Sequence, residues 1–279
     1  METQYSAEID FAEGLSRVIG CDKADRLADV VFVHGLGGDA AHTWQSGNDA
    51  DSFWPRWLGQ DFPEIGIWTL GYAASASAWQ AQSMPLADRG NAVLEQLYAE
   101  GLGKRPLVFI THSMGGIVVK QLLRHADSFG VKRWEEIAQA TRSVIFIATP
   151  HSGANSASFV NFFHLLLRTN ENISELQAHH PRLRELHGWF LNFYNKRELT
   201  CRTYCETREV RPSVLGLSLP KGILIVDQTA AEPNIPGERA IPLDEDHISI
   251  CKPHSRQADL YKSLKKCLED TLQRHKNPN

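Results

Sequence analysis

The chain has 279 residues, a net charge of −4 and a 42% share of hydrophobic residues. That is too apolar for a disordered segment and long enough for one large mixed domain with a substantial core. Mild acidity without a Lys/Arg run excludes nucleic acid as the main partner, and no apolar stretch approaches the ~20 residues needed to cross a bilayer.

The first predicted strand, Asp29–Val33, runs into a glycine-rich turn. Ile67–Tyr72 is the second, followed by a helix over 84–100 with Val93, Leu94, Leu97 and Tyr98 at helical spacing. The third strand, Pro106–Ile110, feeds a helix over 115–126 that carries Ile117, Val118, Gln121, Leu122 and His125. Ser143–Ala148 is the fourth, and Thr200–Glu206 and Ile223–Val226 complete the set. A C-terminal helix repeats Leu260, Leu264, Leu268 and Leu272, an i, i+4 stripe suited to packing on a sheet. The third and fourth strands are continuous apolar runs, as expected of strands covered on both faces. This alternation predicts an α/β class: a doubly wound, mostly parallel sheet with helices on both faces, in a single domain over 1–279.

Between 153 and 199 the rhythm breaks into a long, aromatic-rich helical stretch that holds Phe162, Phe163, Trp189, Phe190 and Phe193. It is expected to form a helical cap over the C-terminal edge of the sheet, where open α/β sheets bind ligands. The alternative is an ordinary helical hairpin buried against the core.

Three segments carry chemistry. Ile110-Thr111-His112-Ser113-Met114-Gly115-Gly116 joins a strand directly to a helix. A serine on so sharp a turn projects its hydroxyl above the sheet, and the residues two positions away must be small, which is the reason for a G-x-S-x-G pattern. Thr111 stands in the first of those small positions. The second segment is Val33-His34-Gly35-Leu36-Gly37-Gly38. A glycine-rich turn at a strand's C-terminal end can aim backbone amides at a developing oxyanion, and Leu36 and Met114 are the expected pair of donors. The same glycines fit a dinucleotide fingerprint, but the chain then continues as a loop through His42, Trp44 and Pro55 instead of opening a helix. The third segment is Pro242-Leu243-Asp244-Glu245-Asp246-His247. His247 is the expected general base, because an imidazole can both reach a serine hydroxyl and titrate near neutrality. Glu206 is favoured as the acid that orients it, with Asp227 as the alternative. His34, Trp44, Phe162 and Phe163 are expected to line the substrate site; packing is the alternative for Trp44, as for Trp54 and Trp57.

The five cysteines include no C-x-x-C pair, and the N-terminus lacks the basic-then-apolar order of a secretory signal. Reduced thiols in a cytoplasmic protein are therefore expected. His179, His180 and His187 lack H-E-x-x-H spacing and read as a polar helix end, so no metal is expected.

Together, Phe32-Val33-His34-Gly35-Leu36-Gly37-Gly38, Thr111-His112-Ser113-Met114-Gly115-Gly116, Ile147-Ala148-Thr149-Pro150-His151-Ser152-Gly153 and Pro242-Leu243-Asp244-Glu245-Asp246-His247 resemble the lipase-like serine esterases of the α/β-hydrolase superfamily. Within it the chain is similar to the serine-active-site-containing proteins and to hydrolase modules placed ahead of NTPase and repeat domains, and more distantly to GPI-inositol deacylases. The resemblance covers about Gly14 to Lys252. It implies an α/β-hydrolase fold, no cofactor, and a Ser–His–acid hydrolase acting on esters, often in lipids. By position it makes Ser113 the nucleophile, His247 the base, and Leu36 with Met114 the oxyanion donors. An acid motif common in lipases is replaced here by Lys221-Gly222-Ile223-Leu224, a second reason to look to Glu206. The expected partners are a lipid or small-molecule ester, with peripheral membrane contact and membership of a larger regulated assembly compatible with the resemblance. Rival readings keep the fold as a non-catalytic binding or effector module, or keep the triad for a thioester or a peptide.

Overall fold

A computed structural model describes residues 13–47, 49–72, 86–151, 181–197, 199–211, 213–214, 217–218 and 222–276. Seven strands form one sheet: β1 (Gly14–Ile19), β2 (Ala28–Val33), β3 (Ile65–Gly71), β4 (Leu107–His112), β5 (Thr141–Ile147), β6 (Thr200–Glu206) and β7 (Ala240–Leu243). Their order is β1-β3-β2-β4-β5-β6-β7, parallel throughout except for the antiparallel β1 edge.

Side-chain alternation divides the core into two layers. Val31, Val33, Phe109, Val144 and Phe146 face one layer, with α2 (Leu86–Ala99), α3 (Gly115–Ser128), α4 (Lys132–Ala140) and α5 (Pro181–Arg197). Val30, Phe32, Val108, Ile110, Ile145 and Ile147 face the other, under α1 (Trp54–Asp61) and α7 (Asp259–Lys276). The leucine stripe of α7 is buried at Leu260, Leu264, Leu268 and Leu272, as its spacing predicts. A short α6 (Gln228–Ala231) precedes β7. All five cysteine thiols are buried and free. Among the described residues, no helix is long and apolar enough to cross a membrane.

The winding places the site. β2 has β3 on one side and β4 on the other, so the chain runs outward in opposite directions from that pair. The loops leaving β2 and β4 meet at the strand C-termini, the end at which open α/β sheets bind ligands.

Two expectations change, and a third falls mostly outside the described residues. Ile223–Val226 is not a strand: among its residues only Ile223 pairs, in a single bridge with Val210. The last strand is β7, in which Pro242 sits on an edge, the place where a missing N–H is tolerated. The predicted cap lies largely outside the described residues, Phe162 and Phe163 included. From residue 181 onward it is α5, a helix of the first layer, with Phe190 and Phe193 buried in that layer's core.

Candidate active site

Ser113 follows β4 without an intervening residue and has φ +52°, in the left-handed region. A side chain held there costs on the order of 1 kcal/mol and persists only where its surroundings fix it. The fixing contacts are visible. Ser113 N–H donates to the Ile147 carbonyl at 2.8 Å, and its own carbonyl accepts from Gly116 N–H at 3.2 Å and from Thr149 Oγ1 at 3.0 Å. A Cβ on Gly115 would lie 2.3 Å from the Val33 carbonyl oxygen, and one on Gly35 would lie 2.8 Å from Ser113 Cβ. The first small position tolerates Thr111 because its buried hydroxyl donates to the Ile145 carbonyl at 3.0 Å. Gly115→Ala is therefore expected to destabilise the fold by about 3 kcal/mol, since the obstacle is backbone that cannot step aside. Urea denaturation would read this as a lowered midpoint with an unchanged slope.

His247 lies four residues beyond β7, on a turn shaped by Asp246, whose carboxylate accepts from the Ile248 and Ser249 amides. Its Nε2 is 3.0 Å from Ser113 Oγ and its Nδ1 is 2.8 Å from Glu206 Oε2, with all three residues buried. Glu206 ends β6, and its other oxygen accepts from the Ile225 and Val226 amides at 3.0 and 2.7 Å. The apolar run that reads as a strand thus turns its backbone N–H groups to a carboxylate. Asp227, the alternative acid, is the N-cap of α6, accepting from Ala230 N–H at 2.8 Å, and the acid on the imidazole is Glu206.

A model of the alpha/beta hydrolase family matches residues 30–242. The chain belongs to the alpha/beta hydrolase family. It is similar to Protein SERAC1 of Bos taurus, 34% identical over 267 residues, and to that of Homo sapiens, 33% identical over 265. Each match takes in 88% of this chain but 39% of the relative, so the hydrolase spans about two-fifths of the length of these relatives. Among solved structures, phospholipase PlaB from Legionella pneumophila superposes with a TM-score of 0.63 at 14% identity, over 89% of this chain and 61% of that one. A fungal esterase from Rhizomucor miehei gives 0.51 at 14% identity, over 96% and 84%. These structural likenesses speak for the fold.

The remaining expected residues of this alpha/beta hydrolase fall into two groups. The Leu36 and Met114 side chains converge in one apolar cluster with Ile117, Leu183, Leu186 and Ile225. Among the described residues their two backbone amides have no protein acceptor. His34 and Trp44, by contrast, are fully buried and engaged with protein neighbours. His34 stacks on Tyr72 at 4.3 Å; its Nδ1 lies 2.8 Å from the Gly35 carbonyl and its Nε2 accepts from Tyr72 N–H. Burial first, only partly offset by the Gly35 carbonyl, holds the ring below its ordinary pKa, and a neutral imidazole then stiffens the glycine turn. Trp44 packs edge-on against Phe32 and Trp54 in the second layer, the outcome usual for a large apolar ring beside a sheet.

One residue with a part in the geometry escaped the sequence reading. His112, just before the nucleophile position, donates from Nε2 to the His247 carbonyl at 2.9 Å. Desolvation, followed by the nearby His247, pushes it well below its ordinary pKa, so it serves as a neutral donor. Its only sequence signal was its position beside Ser113.

Proposed function

We propose that the hydrolase cleaves carboxylic esters of lipid-like character by acyl transfer to Ser113. The observation that carries this is the continuous line from Ser113 Oγ through the His247 ring to Glu206, at 3.0 and 2.8 Å. In this reading His247 Nε2 takes the serine proton as Oγ attacks the ester carbonyl. Glu206 keeps the Nδ1 proton in place and stabilises the imidazolium. The Leu36 and Met114 amides receive the oxyanion. The imidazolium then returns its proton to the departing alkoxide, and water repeats the sequence on the acyl-enzyme. A lipid-like acyl group is favoured by the apolar cluster around both proposed donors and by Ile248, 40% exposed immediately after His247. A phospholipase among the structures of like fold agrees with that class.

A fluorophosphonate probe tests this directly. Stoichiometric labelling of wild type at Ser113, lost in Ser113→Ala, is the expected result. A folded wild type that takes no label would point to the binding-module alternative.

A further inference from the structure

Lys120 lies on α3, less than two turns after the elbow, and is fully buried. Its Nζ is 2.7 Å from His151 Nδ1 and 3.1 Å from His187 Nδ1, and it sits over the Phe146 and Phe190 rings, 5.3 Å from each centroid. Among the described residues it has no carboxylate partner. The amine is the donor, so each imidazole must carry its proton on Nε2. The Nε2 of His151 is buried with no partner among the described residues. Methionine would fill the same space without these costs, so packing alone does not account for a lysine here.

The three members come from three elements, and each reaches the proposed site. Lys120 belongs to the helix that begins beside Ser113. His151 is on the loop after β5, two residues from Thr149, whose hydroxyl holds the Ser113 carbonyl. His187 is on α5, next to Leu186, which packs with Leu183 against Leu36 and Met114. We propose that Lys120 is a positioning residue that, through His151 and His187, joins α3, the loop after β5 and α5 into one block fixing the elbow and the two oxyanion amides. The inference rests on the acyl-transfer reading above.

The ionisable groups facing Lys120 are His151, His187 and, from β6, Cys201. Burial pulls the Lys120 pKa down to about 7, with Cys201 opposing weakly. Burial and then Lys120 hold His151 well below its ordinary value, and the same causes bring His187 to about 3 against the Pro233 carbonyl. The neutral amine has two N–H groups, one for each Nδ1, which suits the cage. Since the folded pKa lies below the unfolded one, the unfolded chain holds more protons between about pH 7 and 10.5, and stability rises across that window.

The test is Lys120→Met, assayed on p-nitrophenyl butyrate and by hydrogen exchange of residues 181–190. At pH 6 the variant should melt no lower than wild type, and it should lack the part of the wild-type Tm gain between pH 7 and 9 that Lys120 supplies. Its kcat should nonetheless fall about tenfold with KM within about twofold, because misplacement of fixed groups acts on the transition state. Exchange at the start of α5 should quicken. Stability and activity would then move in opposite directions, which a packing role does not produce. Unchanged kcat or unchanged exchange overturns the proposal. Should Lys120→Met fail to fold, His187→Phe leaves Lys120 and His151 in place, and unchanged kcat and exchange there overturn it equally. A wild type that takes no fluorophosphonate would instead remove the hydrolase reading itself. Normal labelling with an unaffected Lys120→Met removes this inference alone.

Discussion

Replacing Ser113 by alanine is expected to lower kcat/KM for a short-chain ester about a millionfold, and adding His247→Ala should cost almost nothing more. The non-additivity is the informative part. If the serine is the nucleophile and the imidazole acts only by taking its proton, an imidazole facing a methyl group has no work left. The residual rate would come from two oxyanion amides and from binding, about a thousandfold above water. Ser113→Ala should keep near-wild-type melting behaviour, because alanine retains the Cβ already accommodated at φ +52° and loses only the hydroxyl, whereas variants lacking the His247 ring should melt lower because Glu206 loses its buried partner. Steady-state kinetics on the two single variants and the double variant decide the matter. Losses that multiply would mean that Ser113 and His247 act independently, and near-wild-type turnover by Ser113→Ala would exclude it as nucleophile.

What the sequence made legible follows from what local pattern can encode. β4 and β5 were readable because both faces of a central strand are buried, leaving an unbroken apolar run with no rival interpretation. The elbow was readable because close backbone approach imposes glycine, here at Gly115 against the Val33 carbonyl. β1 was missed because Gly14–Ile19 is an edge strand with exposed Arg17, too mixed to stand out. Ile223–Val226 was misread for the opposite reason. Its side chains are apolar because they pack beside Leu36 and Met114, while its backbone serves Glu206 instead of a neighbouring strand. No property of an isolated tetrapeptide distinguishes those two uses of an N–H group.

Charged residues showed the same limit. Nothing in the pattern of the 115–126 helix singles out Lys120, and only tertiary packing reveals it between Phe146 and Phe190. His34, next to the glycine turn, reads as a substrate contact, yet Tyr72 covers it and closes a second hydrogen bond from its hydroxyl to the His34 carbonyl at 2.6 Å. Residue type and chain order located the elbow and the imidazole. Which polar side chains support them and which face outward depended on segments far away in sequence.

Glu206→Gln carries the sharpest consequence for the proposed chemistry, because an amide at this position either inverts the His247 tautomer or buries a clash of donors. One carboxylate oxygen accepts from two backbone amides, Ile225 and Val226, and the other faces His247 Nδ1. A glutamine can put its oxygen on the two amides and its NH2 on the ring. His247 must then accept at Nδ1 and carry its proton on Nε2, which points a donor at Ser113 Oγ and removes the base. In the reverse orientation the NH2 meets two N–H donors, and burying that clash costs about 1–3 kcal/mol for each unmet group. The first orientation is the cheaper, so the fold should survive while kcat falls about ten-thousandfold with KM little changed. Glu206→Asp is the instructive partner. It keeps the charge but is one methylene too short to hold both the ring and the paired amides, so it should recover only part of the loss. Kinetics of the two variants beside the 15N shifts of the His247 ring would separate tautomer from charge. A Glu206→Gln enzyme with ordinary turnover, its ring still protonated at Nδ1, would show that this carboxylate does not orient the base.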